Sequence, residues 1–308
     1  MSRRSNLGLI LSLAIVAGAA QTPVFRSSSD TVPLYVTVAD TTGRRVPGLT
    51  REDFHILDNG AAQPVTQFDN SPQPLRLVAL FDLSSSMTGN VPLMKRACEE
   101  LVAHLAPADL VRVGTFGERI TFSAFTRDMS ALTAPLGAAI PPTAPTPLWR
   151  AVDRAMTEIR TASEGRPVVL ILSDGRDSAS TIGESFITPA QVRDRAIQED
   201  VMIYGVGIRS APGPVFPGGI RSLADVMRPP MPDPSLGALA LDTGGGYFEL
   251  GSRDDLAKTF TNVVDELHRQ YLLGFSPPSR DGAVHKIEVR SPRADLTLRA
   301  RKTYVAPK

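Results

Sequence analysis

The sequence predicts an α/β fold: a doubly wound, mostly parallel β-sheet with helices on both faces, accompanied by a small all-β flanking domain. Two observations carry this prediction. Between about residues 75 and 270, short apolar runs that are typical of buried strands alternate with segments of helical periodicity. On either side of that range the pattern is strand-like and shows no helical period. Strands that alternate with helices build a parallel sheet covered on both faces.

The first twenty residues have the features of a signal peptide. Arg3 and Arg4 supply positive charge, Leu7 to Val16 is apolar, and residues 17–19 (Ala-Gly-Ala) are small enough for cleavage. The apolar stretch is too short to span a bilayer comfortably. We therefore expect residues 1–20 to be removed, the protein to be exported to the periplasm or the extracellular space, and no membrane span to remain. An uncleaved anchor is the alternative.

Composition excludes several classes of partner. Lys plus Arg number 33 and Asp plus Glu number 32, so the net charge of +1 offers nothing to attract nucleic acid or an anionic membrane. Hydrophobic residues make up 42%, enough for a proper core. The single cysteine, Cys98, allows no internal disulfide. It recurs with Met94 and Leu101 at helical spacing, which favours a core position over a reactive thiol.

The flanks form two groups of short strands. Residues 31–70 contain about three, two of them around a turn at Asp58-Asn59-Gly60, and residues 271–305 contain about three more. Few-stranded sheets are marginal without a packing partner. We therefore predict that 31–70 and 271–305 pair in one small β-sandwich, with the domain of 75–270 inserted between them. Alternatively, each flank packs separately on the large domain.

Elements of the 75–270 domain follow one another in a regular order. The predicted strands span 75–81, 111–117, 120–126, 167–173, 201–208 and 247–250. The predicted helices span 93–105, 148–159, 188–200, 235–245 and 252–270. The proline-rich segment 209–234 fits no regular element, and a loop of this length in a compact domain indicates either a function or disorder.

Oxygen-bearing side chains follow two of these strands and precede one helix. Asp82, Ser84 and Ser86 come directly after the strand 75–81, Asp174 comes after 167–173, and Thr146 stands before the helix at 148. Ligands of open α/β sheets bind at the carboxyl ends of the strands. Three loops thus offer two carboxylates and three hydroxyls at one edge of the sheet.

This set of donors suits a hard divalent cation. Mg²⁺ takes oxygen ligands in an octahedron at about 2.0–2.1 Å and keeps several waters. Hydroxyls add no negative charge, so the ion stays electrophilic toward a further carboxylate. We expect Mg²⁺, with Mn²⁺ or Ca²⁺ as alternatives, to capture an Asp or Glu side chain of a protein partner. Asp177 is a weaker candidate, which we interpret as a solvated loop acid rather than an outer support of the site.

Each of these residues also has a plainer explanation. Asp82 and the serines could cap the following helix. Thr146 before Pro147 suits a helix N-cap followed by proline at the first helical position. Asp174 before Gly175 suits an ordinary turn. The joint occurrence of five suitable residues in three suitably placed loops favours the metal site.

Over about residues 75–270 the chain resembles a von Willebrand factor type A domain. The resemblance lies in Asp82-x-Ser84-x-Ser86, in Thr146 within Thr-Pro-Leu, and in Asp174-Gly175. In that family the matching positions form a metal-ion-dependent adhesion site. The resemblance therefore implies a doubly wound fold, a Mg²⁺ site made of these five residues, and a protein ligand that supplies a carboxylate.

The flanks resemble the bacterial, exported "VWFA-related" proteins. Residues 48–54 (GLTREDF) stand before the domain and residues 270–274 (QYLLG) after it, as in those proteins. One departure lies next to Thr146, where many relatives have glycines and this chain has Ala144-Pro145. The proline stiffens that loop but leaves the threonine hydroxyl available.

Signals for catalysis are weak, and we expect no enzyme. The four histidines are scattered without metal-ligand spacing, and neither a G-x-S-x-G elbow nor a P-loop is present. The serines after residue 82 have no nearby base in the sequence. The favoured hypothesis is an exported, Mg²⁺-dependent protein-binding module of adhesion type. The alternative is a structural or assembly scaffold of the cell envelope with a merely stabilising metal.

Overall fold

The structure is a computed structural model, and it describes residues 31–174, 177–178, 186–208, 232–250 and 256–308. Three sequence predictions fall wholly or partly outside these residues: the signal peptide at 1–20, most of the segment 209–234, and the start of the helix at 252–270. No helix among the described residues is long and apolar enough to cross a bilayer.

Strands and helices of the described residues are numbered here in chain order. The strands are β1 (Val32–Asp40), β2 (His55–Asp58), β3 (Ala61–Gln63), β4 (Gln67–Asp69), β5 (Leu75–Asp82), β6 (Leu110–Phe116), β7 (Thr121–Phe122), β8 (Arg166–Ser173), β9 (Met202–Ile208), β10 (Tyr247–Leu250), β11 (Tyr271–Phe275), β12 (Val284–Arg290), β13 (Leu296–Arg299) and β14 (Thr303–Val305). The α-helices are α1 (Val91–Ala103), α2 (Met129–Thr133), α3 (Leu148–Ile159), α4 (Pro189–Gln198), α5 (Pro234–Asp242) and α6 (Leu256–His268).

The central sheet has six strands in the order β10-β9-β8-β5-β6-β7. All neighbours are parallel except β7, which runs antiparallel to β6. The chain leaves β5 for β6 on one side and later returns to β8 on the other side. The direction of winding therefore reverses at β5, which confirms the doubly wound, mostly parallel sheet.

Both faces of this sheet are covered, as the continuous apolar runs predict. Leu77 and Phe81 of β5 point into a core shared with α1 and α6, whereas Val78 and Leu80 point into a second core shared with α3, α4 and α5. Side chains of a strand alternate between its two faces, so a strand between two helical layers must be apolar at every position. Cys98 is fully buried in the first of these cores.

Strands of the two flanks pair with each other. One antiparallel sheet has the order β13-β1-β11-β4 and the other β14-β12-β2-β3, so each combines strands from before and after the central domain. Leu34 of β1 lies opposite Leu273 of β11, and Ile56 of β2 lies opposite Val289 of β12. The two sheets share one apolar core. The small all-β part is confirmed as a fold, and the boundaries at which the chain divides into domains stay a prediction.

Some local elements differ from the sequence predictions. The strand predicted at 120–126 is regular only over β7, although Ser123 N still bonds to Val113 O at 2.8 Å and Thr126 N to Val111 O at 2.9 Å. Helix α2 was not predicted; it is short, and the carboxylate of Asp128 caps it by accepting from Ser130 N at 2.9 Å. Each flank supplies four strands rather than three.

A buried histidine lies between two carboxylates in the all-β part. His285 is 5% exposed; its Nδ1 lies 2.9 Å from Asp58 Oδ1, and its Nε2 lies 3.2 Å from Asp281 Oδ2. Tyr304 Oη donates to Asp58 Oδ2 at 3.0 Å. Burial by itself lowers the pKa of His285, but hydrogen bonds and charge from Asp281 and Asp58 outweigh it, so the pKa is raised.

We expect this histidine to make the stability of the protein depend on pH. At a pH below the pKa of a histidine in the unfolded chain, the charged form of His285 makes its full contribution to stability. This contribution is lost as the pH rises through the raised pKa of His285 in the folded protein. The difference in unfolding free energy between wild type and His285→Gln should therefore be largest near about pH 6 and shrink toward about pH 9. Urea denaturation at several pH values measures it. His55→Gln, on an exposed position of β2, is the control; a pH-independent difference for His285→Gln would contradict the prediction.

Candidate metal centre

The two predicted carboxylates lie at the ends of adjacent parallel strands. Asp82 is the last residue of β5, and Asp174 directly follows Ser173, the last residue of β8. Phe81 is in register with Leu172, so both strands end at the same level. Because β5 is where the winding reverses, the two side chains stand at the topological switch point, where open α/β sheets bind their ligands.

Hydrogen bonds connect the serine loop to both carboxylates. Ser86 Oγ donates to Asp174 Oδ1 at 2.9 Å, and Ser84 Oγ lies 3.1 Å from Ser86 Oγ. Ser84 N donates to Asp82 Oδ1 at 2.8 Å. The structure thus brings together four of the five predicted residues, although they come from two separate parts of the chain.

The fifth residue, Thr146, lies in a loop that contacts both the serine loop and the segment that follows Asp174. Ser85 N donates to Ala144 O at 3.2 Å, which holds this loop against the serine loop. The backbone of Thr146 is bonded to Ser178, in the segment that follows Asp174. Thr146 is not the N-cap of α3, because the N-cap position is Pro147.

Burial and like charge both act on Asp82. It is fully buried; this burial and the neighbouring Asp174 raise its pKa to about 7, against the opposing hydrogen bonds from Ser173 and Ser84. Ser173 Oγ donates to Asp82 Oδ2 at 2.5 Å. A raised carboxyl pKa means that the ionised form is disfavoured here. A positive ion placed between the two carboxylates would reverse this, because it favours the charged form of both.

The donors present fit a small oxygen-liganded cation. Among the described residues, no group of three or more His, Cys, Asp or Glu side chains could hold a metal ion. The candidate centre has two carboxylates and depends on hydroxyls for its remaining donors, which matches the oxygen preference of Mg²⁺ and not the nitrogen and sulfur preference of zinc. Ser86 is its exposed member, whereas Ser84, Thr146 and Asp174 are buried.

Three further residues of the centre were not selected from the sequence. Ser173 bonds to Asp82, Ser178 bonds to Thr146, and Asp177, interpreted above as a solvated acid, accepts from Trp149 N at 3.3 Å. The one available signal was at Ser173, a polar residue that ends the otherwise apolar run of β8. Asp177 was only a weaker candidate, and Ser178 stands in the same polar loop, where nothing in the sequence distinguishes it from a solvated residue.

Comparison with known proteins agrees with this fold. Residues 77–226, just under half of the chain, match the family model described as von Willebrand factor type A domain. A solved structure, von Willebrand factor type A from Catenulispora acidiphila, is 14% identical with a TM-score of 0.51, over 92% of this chain and 76% of that one. The fold and the candidate site together define a class of protein: an open α/β domain with acidic and hydroxyl side chains at its switch point. Residues 77–226 of the chain are a von Willebrand factor type A domain.

Two other solved structures are similar at lower scores. Proximal thread matrix protein 1 from the mussel byssus is 18% identical, with a TM-score of 0.47 over 73% of this chain. This chain covers 48% of that protein, about half its length. The hypothetical protein BatB from Bacteroides thetaiotaomicron is 15% identical, with a TM-score of 0.48 over 62% of this chain and 97% of that one. No curated protein matches the chain.

Proposed function

We propose that this protein is an exported, Mg²⁺-dependent protein-binding module of adhesion type and not an enzyme. The observation that carries the proposal is the connected group of Asp82, Ser84, Ser86 and Asp174 at the switch point of the sheet. Von Willebrand factor type A domains commonly bind a divalent metal through such a site. Export is supported by the signal-peptide features of residues 1–20.

Each residue of the centre has a separate part in this proposal. Asp82 and Asp174 balance the charge of the cation, and Ser84, Ser86 and Thr146 contribute neutral oxygens. When bound, Mg²⁺ supplies a positive charge with a coordination position open to an Asp or Glu carboxylate of the partner. Ser86 is exposed, so the partner approaches from the side of the serine loop.

The alternative role is an envelope scaffold with a merely stabilising metal. Measurements of partner binding, and not of stability, distinguish it from the adhesion role. Any ligand of the folded state raises the melting temperature, so both roles predict stabilisation by Mg²⁺. Only the adhesion role predicts that a partner is held through the ion.

We expect immobilised protein to retain specific proteins from an envelope extract in Mg²⁺ and to release them in chelator. A column of Asp174→Ala should not retain them, because one of the two carboxylates of the centre is gone. The retained proteins are identified by mass spectrometry, and free acetate in excess should compete with them if a carboxylate is the ligand. Retention of the same proteins by both columns, or in chelator, would refute the metal-dependent binding role.

A further inference from the structure

Ser178, in the segment that follows Asp174, bonds to the backbone of Thr146. Thr146 N donates to Ser178 Oγ at 2.8 Å, and Ser178 N donates to Thr146 O at 3.0 Å. The side chain and the backbone of Ser178 thus occupy both backbone polar groups of a single residue. This two-way contact joins the loop before α3 to the loop after β8.

Asp177 makes a second contact one helical turn further on. Its Oδ1 accepts from Trp149 N at 3.3 Å, in the first turn of α3. The N-cap residue Pro147 makes no side-chain capping bond, so the first turn of the helix has backbone N–H groups that need an acceptor from elsewhere. Asp177, in another loop, supplies one. A carboxylate at this place is also favoured by the helix dipole.

Proline content gives the Ser178 contact its importance. Pro145 and Pro147 have no backbone N–H, so the amide of Thr146 is the only backbone donor of residues 145–147. That one donor bonds to Ser178 Oγ. Loss of the serine hydroxyl would therefore leave the one backbone N–H donor of these three residues without that acceptor, and only the bond from Ser178 N to Thr146 O would still join the two loops at this point.

We propose that Asp177 and Ser178 are positioning residues that hold Thr146 at a fixed place relative to Asp174. The proposal rests on the proposed function, since it assigns these residues to the same Mg²⁺ centre. Both residues belong to the segment that carries Asp174, so one stretch of chain supplies a carboxylate of the centre and orients its threonine. Replacement of groups that orient metal ligands from outside typically lowers metal affinity by roughly 10- to 100-fold.

Two measurements test the proposal. Calorimetric titration with Mg²⁺ should show binding by Ser178→Ala to be weaker by about tenfold, and Ser178→Thr, which keeps the hydroxyl, should restore most of it. Hydrogen exchange in chelator reports the contact without metal: the Thr146 amide should be protected in wild type and exchange faster in Ser178→Ala. Asp177→Ala should weaken Mg²⁺ binding more than Asp177→Asn, which keeps an acceptor for Trp149 N.

Controls separate the possible failures. Ser71→Ala removes a hydroxyl that bonds to Asp69 in an exposed turn away from the centre, and it should leave Mg²⁺ binding unchanged. If wild type binds Mg²⁺ and Ser178→Ala binds it equally well, the positioning role is overturned while the proposed function stands. If wild type binds no Mg²⁺, both are overturned. Should Ser178→Ala fail to fold, the pair Asp177→Ala and Asp177→Asn decides by the same titration.

Discussion

We expect replacement of Asp82 with asparagine to abolish the rise in melting temperature that Mg²⁺ should give the wild-type protein, and to leave the Mg²⁺-free protein about as stable as before. The first effect follows from the loss of one of the two carboxylates of the centre, which should weaken Mg²⁺ binding by roughly a hundredfold or more. The second follows from burial: Asp82 is fully buried beside Asp174, so a neutral side chain of the same shape relieves both desolvation and repulsion.

Calorimetric melting in chelator and in excess Mg²⁺ measures both effects on one protein. Asp194→Asn is the matched control, because Asp194 is exposed on α4 and pairs with Arg193 away from the centre. It should keep the full Mg²⁺-dependent rise. If Asp82→Asn also keeps it, the ion binds elsewhere and the assignment of the centre is wrong.

How far the centre could be predicted depends on how each residue is placed. Asp82 and Asp174 are fixed by strand ends, and the ends of adjacent parallel strands meet at one edge, so periodicity alone places them together. The serines follow within four residues of Asp82. Ser178 could not be found in this way, because its contact with Thr146 depends on how two irregular loops fold back on each other.

The flanks show the same limit at the level of the fold. Alternation of apolar and polar residues predicted the strands, and the small number of strands in each flank predicted that each needs a packing partner. Both arguments use only local sequence. They did not predict the order β13-β1-β11-β4, which pairs residues more than 200 positions apart in the chain. Nor did they single out Glu266, a charged residue on α6 whose neighbours Val263 and Leu267 are core residues.

Glu266 joins the all-β part to the central domain. Its Oε1 accepts from Tyr204 Oη of β9 at 2.5 Å, from Thr37 Oγ1 of β1 at 3.5 Å, and from Arg299 of β13. Arg45 Nη2 lies 3.7 Å from its Oε2. Burial and the charge of Glu266 raise the pKa of Tyr204, so its hydroxyl remains a donor. The side chain of Glu266 is 7% exposed, so these contacts are shielded from solvent.

We expect Glu266→Ala to lower the free energy of unfolding by about 3–5 kcal/mol, because it leaves Arg299 and Arg45 without the charge that compensates them. Urea denaturation in chelator measures the loss without a contribution from metal binding. Glu288→Ala is the control: the side chain of this residue of β12 is 44% exposed and pairs with Arg290 on the same strand, and its removal should leave stability nearly unchanged.

A double replacement separates charge from packing. Glu266→Met combined with Arg299→Met removes both charges and restores apolar volume, so it should cost less than the sum of the two single replacements. Such non-additivity is expected only if Glu266 and Arg299 stabilise the protein as a pair across the boundary between β13 and α6. Additive costs, or a cost of Glu266→Ala no larger than that of Glu288→Ala, would mean that the two parts of the protein are held together by their apolar contacts instead.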